Sequence, residues 1–145
     1  QIGDGNQHER QIRELHALDN PVNVLTTHSA WLLGSLAMGC DGLLSGAGSV
    51  IADLQVALFR AVEANDLATA KAINDRIYPT VRAFYDAPLL DMHNRMKEAL
   101  VLLGKMSESH VRPPLMQPSP EEIAKIGRMM EAAGLTSDTV YRNAA

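Results

Sequence analysis

The residues with the clearest capacity for chemistry lie at positions 45–49, which read Ser-Gly-Ala-Gly-Ser. A short apolar run precedes them and an amphipathic stretch follows, which is the pattern of a strand, a glycine-rich turn and a helix. Gly46 and Gly48 lack a Cβ, so the backbone there can adopt positive φ or approach a ligand closely. Free N–H groups at the start of the next helix can also bind an anion. The segment predicts either a ligand-binding loop or a plain connection without a ligand.

A histidine provides the second candidate. The segment Thr27-His28-Ser29 follows a β-branched run at 22–26 that predicts a buried strand. A histidine at a strand end can donate to a substrate hydroxyl or transfer a proton near neutral pH. His28 can equally cap the helix predicted to begin at position 30, or bond to a backbone carbonyl. The sequence leaves both interpretations open.

Metal and disulfide chemistry are not expected. The single cysteine, Cys40, cannot form an internal disulfide, fits a reducing compartment and is expected to be a packed thiol rather than a nucleophile. The remaining histidines have no partner at metal-ligand spacing. These are His8, His16, His93 and His110.

Composition argues against nucleic acid and membranes as partners. The 145 residues carry a net charge of −4 from 13 basic and 17 acidic side chains, and only 4% are aromatic. No cluster of Lys and Arg exceeds two neighbours, so there is no electrostatic footprint for nucleic acid. No apolar run approaches the ~20 residues that span a bilayer. We therefore expect a cytoplasmic protein.

The predicted elements change character near residue 66. Helix and strand alternate before it, with helices at 6–18, 30–38 and 50–64 and strands at 22–26 and 41–45; only helices follow, at 67–85, 89–103 and 119–133. The helical connections are long enough to make the two strands parallel. Two strands do not form an independent sheet covered on both faces. The chain is therefore predicted to be the C-terminal part of a larger α/β fold.

The sequence of these elements carries a family resemblance. Residues 24–30 (Val-Leu-Thr-Thr-His-Ser-Ala) and 39–50 (Gly-Cys-Asp-Gly-Leu-Leu-Ser-Gly-Ala-Gly-Ser-Val) resemble strands seven and eight of the dihydrodipicolinate synthase/N-acetylneuraminate lyase family. Residues 64–70, 97–104 and 111–115 agree with later parts of that family in order and spacing. The resemblance covers nearly the whole chain.

The resemblance implies an α/β fold, the C-terminal portion of a (β/α)8 TIM barrel followed by a helical C-terminal domain. Residues 1–64 would be the last strands and helices of the barrel, from the end of strand six to helix eight, and residues 65–145 the helical domain. The implied activity is that of a lyase that acts on a 2-oxo acid through a lysine Schiff base, by aldol chemistry or dehydration. It implies no cofactor and no metal, and a homo-oligomer, either a dimer or a tetramer.

The resemblance also implies where the site lies. The Schiff-base lysine would lie immediately before Gln1, or at Gln1 if that residue is a substitution, so no catalytic residue is expected in this chain. Its own lysines fall in the predicted C-terminal helices: Lys71, Lys97, Lys105 and Lys125. The implied substrate-binding residues are Thr27, His28, Leu44, Ser45, Gly46 and Ala47.

Many family members carry Gly-Asp-Asp or Gly-Asp-Glu after strand seven, where this chain has residues 27–29, Thr-His-Ser. This departure argues against the sialic-acid and dihydrodipicolinate assignments and favours a sugar-derived or hydroxylated 2-oxo acid as the substrate. Two alternatives stay open: a catalytically inactive barrel that only binds a ligand, and a phosphate-binding α/β protein that uses residues 45–49 as an anion loop.

Overall fold

The computed structural model describes residues 4–137 of the chain. Its helices are α1 (Gly5–His16), α2 (Leu32–Ala37), α3 (Gly48–Glu63), α4 (Leu67–Phe84), α5 (Met92–Leu102) and α6 (Pro120–Ala132), its strands are β1 (Leu25–Thr26) and β2 (Gly42–Leu43), and a 3-10 turn covers Leu89–Asp91. The chain forms two compact units, which divide between residues 74 and 75 inside α4. The predicted order of helices and strands is confirmed, whereas the turn predicted after Ser137 lies outside the described residues.

The two strands of the first unit pair in parallel, as predicted. Leu25 lies opposite Gly42 and Thr26 opposite Leu43. Both strands are shorter than the predicted 22–26 and 41–45. Backbone bonds continue beyond them, because Asp41 N–H donates to the Val24 carbonyl at 2.9 Å and Leu44 N–H to the Thr26 carbonyl at 2.8 Å. Each strand has a single neighbour among the described residues, so its other edge has no ladder to extend it.

Helix α1 begins at Gly5, two residues before the start that an N-cap at Asn6 would give. The Asp4 carboxylate accepts the Asn6 N–H at 3.0 Å, so Asp4 and not Asn6 is the N-cap. Ile12 is buried on the inner face of α1, where burial of such a side chain contributes about 1.5–3 kcal/mol. The core of this unit is completed from α2 and α3, mainly by Leu32, Leu36, Val50, Ile51, Leu54 and Leu58.

Positive φ occurs at Gly39 (φ 103°) and not at Gly46 or Gly48. Gly39 ends α2, where its N–H bonds to Leu36 and the next N–H, of Cys40, bonds to Ser35. The positive φ that the sequence allowed at Gly46 and Gly48 is therefore adopted by neither of them. Gly48 has a different reason to be small, because a Cβ there would lie 3.1 Å from Gln55 Oε1.

The second unit is helical. Ser119 caps α6 by accepting the Glu122 N–H at 3.2 Å, and Pro120 occupies the first turn, as predicted. Arg95 is 2% exposed, and its Nε donates to Glu122 Oε1 at 2.6 Å. Its other nitrogens donate to backbone carbonyls of Phe84, Asp86 and Ala87. This one guanidinium thus ties α5 to α6 and to the turn after α4.

Candidate functional site

The two loops that carry the predicted substrate-binding residues lie side by side. Parallel pairing of β1 with β2 brings their C-terminal ends together, and the Leu44 N–H bond to the Thr26 carbonyl extends that pairing by one residue. Residues 27–29 follow β1 and residues 44–47 follow β2. All six predicted residues therefore occupy one edge of the sheet, where parallel α/β folds hold their chemistry.

These six residues differ in exposure. Leu44 is 66% exposed, and Thr27 and Gly46 are also exposed. His28 and Ser45 are half-buried. Ala47 is 1% exposed and lies beneath the loop, where its carbonyl accepts the N–H groups of Val50 and Ile51, each at 2.9 Å. Leu44 thus presents an apolar surface, while buried Ala47 joins the loop to the first turn of α3 through its carbonyl.

Side-chain hydrogen bonds join the two loops. The hydroxyl oxygens of Ser29 and Ser45 lie 2.6 Å apart, and Gln55 Nε2 donates to Ser45 Oγ at 2.8 Å. Ser29 and Gln55 are 4% and 5% exposed. The sequence alone does not single out either residue for this contact, because Ser29 lies in a predicted loop and Gln55 within the helix predicted at 50–64. The position of Gln55 two turns after the glycine-rich segment was the available signal.

The start of α3 does not offer an anion cradle. Gly48 N–H donates to the Ser45 carbonyl and Ser49 N–H to the Gly46 carbonyl. The N–H groups of Val50 and Ile51 are also bonded, and Ser49 Oγ donates to the Gly46 carbonyl at 3.0 Å. The first turn is therefore closed on its own carbonyls, which argues against the phosphate-binding alternative.

His28 is held by its backbone and has a free ring atom. Its N–H donates to Thr26 Oγ1 at 3.1 Å, and its carbonyl accepts the Trp31 N–H at 2.8 Å. The ring packs edge-on to Trp31 with 6.2 Å between centroids. Nδ1 is buried and has no hydrogen-bond partner within residues 4–137. α2 has no side-chain cap, so the structure gives no support to the interpretation of His28 as a capping histidine.

His8 approaches this region from α1. Burial lowers its pKa, and the nearby His28 lowers that pKa further. His8 Nε2 lies 3.3 Å from Cys40 Sγ. Burial, together with the charge of Asp41, raises the pKa of the Cys40 thiol, so Cys40 is the packed, neutral thiol that was predicted. No sequence spacing linked His8 to His28, so this proximity was not predicted.

The Asp41 side chain makes hydrogen bonds at the N-terminal end of the two strands. Val24 N–H donates to Asp41 Oδ2 at 2.6 Å, and His16 Nε2 lies 2.8 Å from the same oxygen. These contacts lower the pKa of Asp41, with the Val24 bond as the largest cause. The carboxylate therefore connects the end of α1, the approach to β1 and the start of β2.

A cavity borders each strand. One of about 300 Å³ is lined by His8, Gln11 and residues 24–28, along β1. Another of about 290 Å³ is lined by Gly42, Leu43, Ala52, Gln55, Val56 and Phe59, along β2 and α3. Both therefore lie beside strands that have one paired neighbour each.

Metal binding, membrane insertion and lysine chemistry can be assessed for the described part of the chain. Residues 4–137 contain no group of three His, Cys, Asp or Glu side chains placed to hold a metal ion. None of the helices in that range has the length and apolarity to cross a membrane. Three of the lysines lie in α4, α5 and α6 as predicted, whereas Lys105 follows the end of α5.

The comparisons with known proteins agree with one another. A sequence model of the dihydrodipicolinate synthetase family matches residues 2–133. The 4-hydroxy-tetrahydrodipicolinate synthase of Kineococcus radiotolerans is 38% identical over 100 residues, covering 69% of this chain and 32% of that protein. The probable 2-dehydro-3-deoxy-D-pentonate aldolase YjhH of Escherichia coli is 26% identical over 106 residues, covering 72% and 34%. The chain thus spans about a third of the length of these relatives.

Solved structures show the fold. The chain superposes on YagE of Escherichia coli, a dihydrodipicolinic acid synthase family protein solved with pyruvate, with a TM-score of 0.81 and 23% identity, over 92% of this chain and 44% of YagE. For dihydrodipicolinate synthase from Oceanobacillus iheyensis, the TM-score is 0.79 at 19% identity, with 92% and 44% covered. The described elements have the fold of part of the barrel of these proteins. On the matched residues, this chain belongs to the dihydrodipicolinate synthetase family.

Proposed function

We propose that this chain supplies part of the active site of a class I lyase that acts on a 2-oxo acid. The observation that carries the proposal is the juxtaposition of residues 27–29 and 44–47 at the carboxyl edge of two parallel strands, in a chain of this family. Named relatives are synthases and aldolases, and the YagE structure holds pyruvate. These names support lyase chemistry without choosing between aldol cleavage or condensation and dehydration.

The reactive group in this proposal is a lysine immediately before Gln1. Its amine would form an imine with the ketone of the 2-oxo acid, and the protonated imine would accept the electrons of the bond that breaks. No cofactor is required. Lys97 Nζ and Lys125 Nζ are engaged with the His110 carbonyl and Asp86 Oδ2, which supports a nucleophile outside this chain's own lysines.

The described residues would bind and orient the substrate. Exposed Leu44 would pack against the carbon skeleton of the 2-oxo acid. The more distant part of the substrate would lie against Thr27, Ser45, Gly46 and Ala47. His28 would bond to an oxygen of that part through its imidazole, whose Nδ1 is buried and has no hydrogen-bond partner within residues 4–137.

A hydroxylated, sugar-derived 2-oxo acid fits these loops best. Residues 27 and 28 offer the exposed Thr27 hydroxyl and an imidazole where many family members carry acids, and the buried Ser29 hydroxyl lies behind them. Two relatives are named as aldolases of 2-dehydro-3-deoxy sugar acids. The competing candidate is 4-hydroxy-tetrahydrodipicolinate synthesis, the activity named for the Kineococcus radiotolerans relative at 38% identity.

The remaining features of the proposal follow from the resemblance. Further barrel strands would pair with the outer edges of β1 and β2 and fill the two flanking cavities. Residues 65–145 would act as a helical C-terminal domain, and the protein would be a cytoplasmic homo-oligomer, a dimer or a tetramer. Light scattering of the complete gene product would contradict this last point if it gave the mass of a monomer.

Two assays on the complete gene product test the proposal. Borohydride reduction in the presence of pyruvate should trap a covalent adduct, and pyruvate should be released from 2-dehydro-3-deoxy-D-gluconate or 2-dehydro-3-deoxy-D-pentonate. Synthesis of 4-hydroxy-tetrahydrodipicolinate without such cleavage would favour the competing substrate. Reversible binding of 2-oxo acids with no trapping would instead indicate an inactive, ligand-binding barrel.

A further inference from the structure

The Ser29, Ser45 and Gln55 side chains form a hydrogen-bonded chain, and the direction of its protons decides what Ser45 can offer a ligand. Gln55 Nε2 donates to Ser45 Oγ at 2.8 Å. Ser45 Oγ and Ser29 Oγ lie 2.6 Å apart, and either hydroxyl can be the donor. Ser29 Oγ also lies 3.5 Å from the Thr27 carbonyl, which is a long contact for a hydroxyl donor.

Each hydroxyl has one proton and two lone pairs, so two arrangements are possible. In the first, Ser45 donates to Ser29, and Ser29 makes the long bond to the Thr27 carbonyl. In the second, Ser29 donates to Ser45. Both lone pairs of Ser45 are then filled, by Ser29 and Gln55, and its own O–H must find an acceptor elsewhere. In the second arrangement Ser29 gives up its long bond to the Thr27 carbonyl, and the Ser45 O–H is left to donate to an acceptor on a ligand.

We propose that Gln55 and Ser29 are positioning residues that hold Ser45 as a hydrogen-bond donor to an oxygen in the distal part of the bound 2-oxo acid. Ser45 is half-buried at the end of β2, whereas Ser29 and Gln55 are buried behind it. Two donors on one hydroxyl also strengthen its own donation, because hydrogen bonds in a chain polarise each other. This inference rests on the proposed function and adds to it a direction for the Ser45 proton.

The surroundings of Gln55 support this role. The amide is 5% exposed, and its Oε1 faces Gly48, where an added Cβ would lie only 3.1 Å away. The glycine at position 48 thus leaves room for the carbonyl end of the amide. In this orientation the amino end is directed to Ser45, with 2.8 Å between Nε2 and Oγ.

Gln55→Glu in the complete gene product is the sharpest test, because it keeps the shape of the side chain and removes its N–H donors. A carboxylate accepts from Ser45 and so takes the proton that the substrate would receive. The readout is the concentration of 2-oxo acid that gives half-maximal borohydride trapping. It is measured with pyruvate, which has no distal part, and with 2-dehydro-3-deoxy-D-gluconate, which has one.

The expected result is selective. For Gln55→Glu, the half-saturating concentration of the longer acid should rise about threefold to tenfold, as for the loss of one hydrogen bond, while that of pyruvate stays within about twofold. Ser29→Ala should give a smaller rise of the same kind, and it carries the test if Gln55→Glu does not fold. Ser49→Ala is the matched control, because the Ser49 hydroxyl bonds to the Gly46 carbonyl of the same turn and is exposed.

Three outcomes contradict the inference. Unchanged selectivity in both Gln55→Glu and Ser29→Ala would overturn it while normal trapping leaves the proposed function intact. An equal rise for both acids would assign the network to general structure rather than to distal recognition. Absence of trapping in the unmodified protein would contradict the proposed function, and this inference with it.

Discussion

The hydroxyl oxygens of Ser29 and Ser45 lie 2.6 Å apart although 16 residues separate them in the chain. The contact exists because parallel pairing of Leu25 with Gly42 and of Thr26 with Leu43 starts both loops at the same level. The contact joins the loop after β1 to the loop after β2, so that the two loops form one continuous surface. Changes in either loop should therefore affect recognition of the same part of a ligand.

Gly48→Ala should disturb this surface from behind. The new Cβ would lie 3.1 Å from Gln55 Oε1, so the amide must move by a few tenths of an ångström and its bond to Ser45 weakens. We expect a rise of about twofold to threefold in the half-saturating concentration of the longer 2-oxo acid in the trapping assay. Gly127→Ala in α6 is the matched control, because its Cβ would meet Leu102 at an ordinary 3.9 Å. Equal effects of the two changes would contradict the proposed close contact at Gly48.

His28→Ala should separate substrate recognition from imine formation. If the imidazole binds an oxygen of the substrate, activity on the hydroxylated acid should fall about tenfold or more, while trapping with pyruvate survives. Steady-state cleavage and borohydride trapping measure the two quantities on one sample. Equal loss of both would mean that His28 serves the structure, through its edge-on contact with Trp31.

Asp41→Asn should remove a pH-dependent contribution to stability. The Val24 N–H holds the pKa of Asp41 below its ordinary value of 3.8, so the carboxylate stabilises the fold fully above that pH and loses the effect as pH falls through its lowered pKa. Because Asp41 is exposed and solvent screens its charge, the variant should be less stable by only about 0.5–1 kcal/mol at neutral pH, and the difference should shrink below about pH 4. Thermal melting from pH 3 to 7 measures it, with Asp53→Asn on the exposed face of α3 as the control. A difference that is constant with pH would refute the role of the carboxylate charge.

Arg95→Met should destabilise the second unit strongly. The change leaves Glu122 and the carbonyls of Phe84, Asp86 and Ala87 without their shared donor, at a cost of about 3 kcal/mol. Arg82→Met is the control, because the Arg82 side chain is 55% exposed and solvent screens its pair with Asp86, so its loss should change stability little. Chemical denaturation of the complete gene product measures both. Similar losses for the two variants would contradict the distinction drawn from burial.

Local signals in the sequence were sufficient for the order of elements. Ser119, Pro120 and the acids that follow predict the start of α6, and the structure confirms it because capping depends on neighbouring residues alone. The parallel pairing of two strands was also predictable, since a helix of suitable length connects them. Strand lengths were not, because they depend on neighbours that a pattern of β-branched residues does not specify.

The contacts that build the site depend on tertiary proximity. The proximity of His8 to His28 and the bond from Gln55 to Ser45 join residues on different elements, and no spacing along the chain encodes them. Gly48 was predicted to allow positive φ or close approach to a ligand; its φ is not positive, and the structure adds a steric reason for glycine, the room it leaves for Gln55 Oε1. Sequence reasoning thus located the loops but not the side chains that orient them.

We propose that residues 27–29 and 44–47 border a pocket whose reactive lysine lies immediately before Gln1. Borohydride trapping of the complete gene product with pyruvate, followed by proteolysis and tandem mass spectrometry, identifies the residue that forms the imine. We expect one reduced adduct, on the lysine that precedes Gln1. An adduct on Lys71, Lys97, Lys105 or Lys125, or no adduct with any 2-oxo acid, would contradict it.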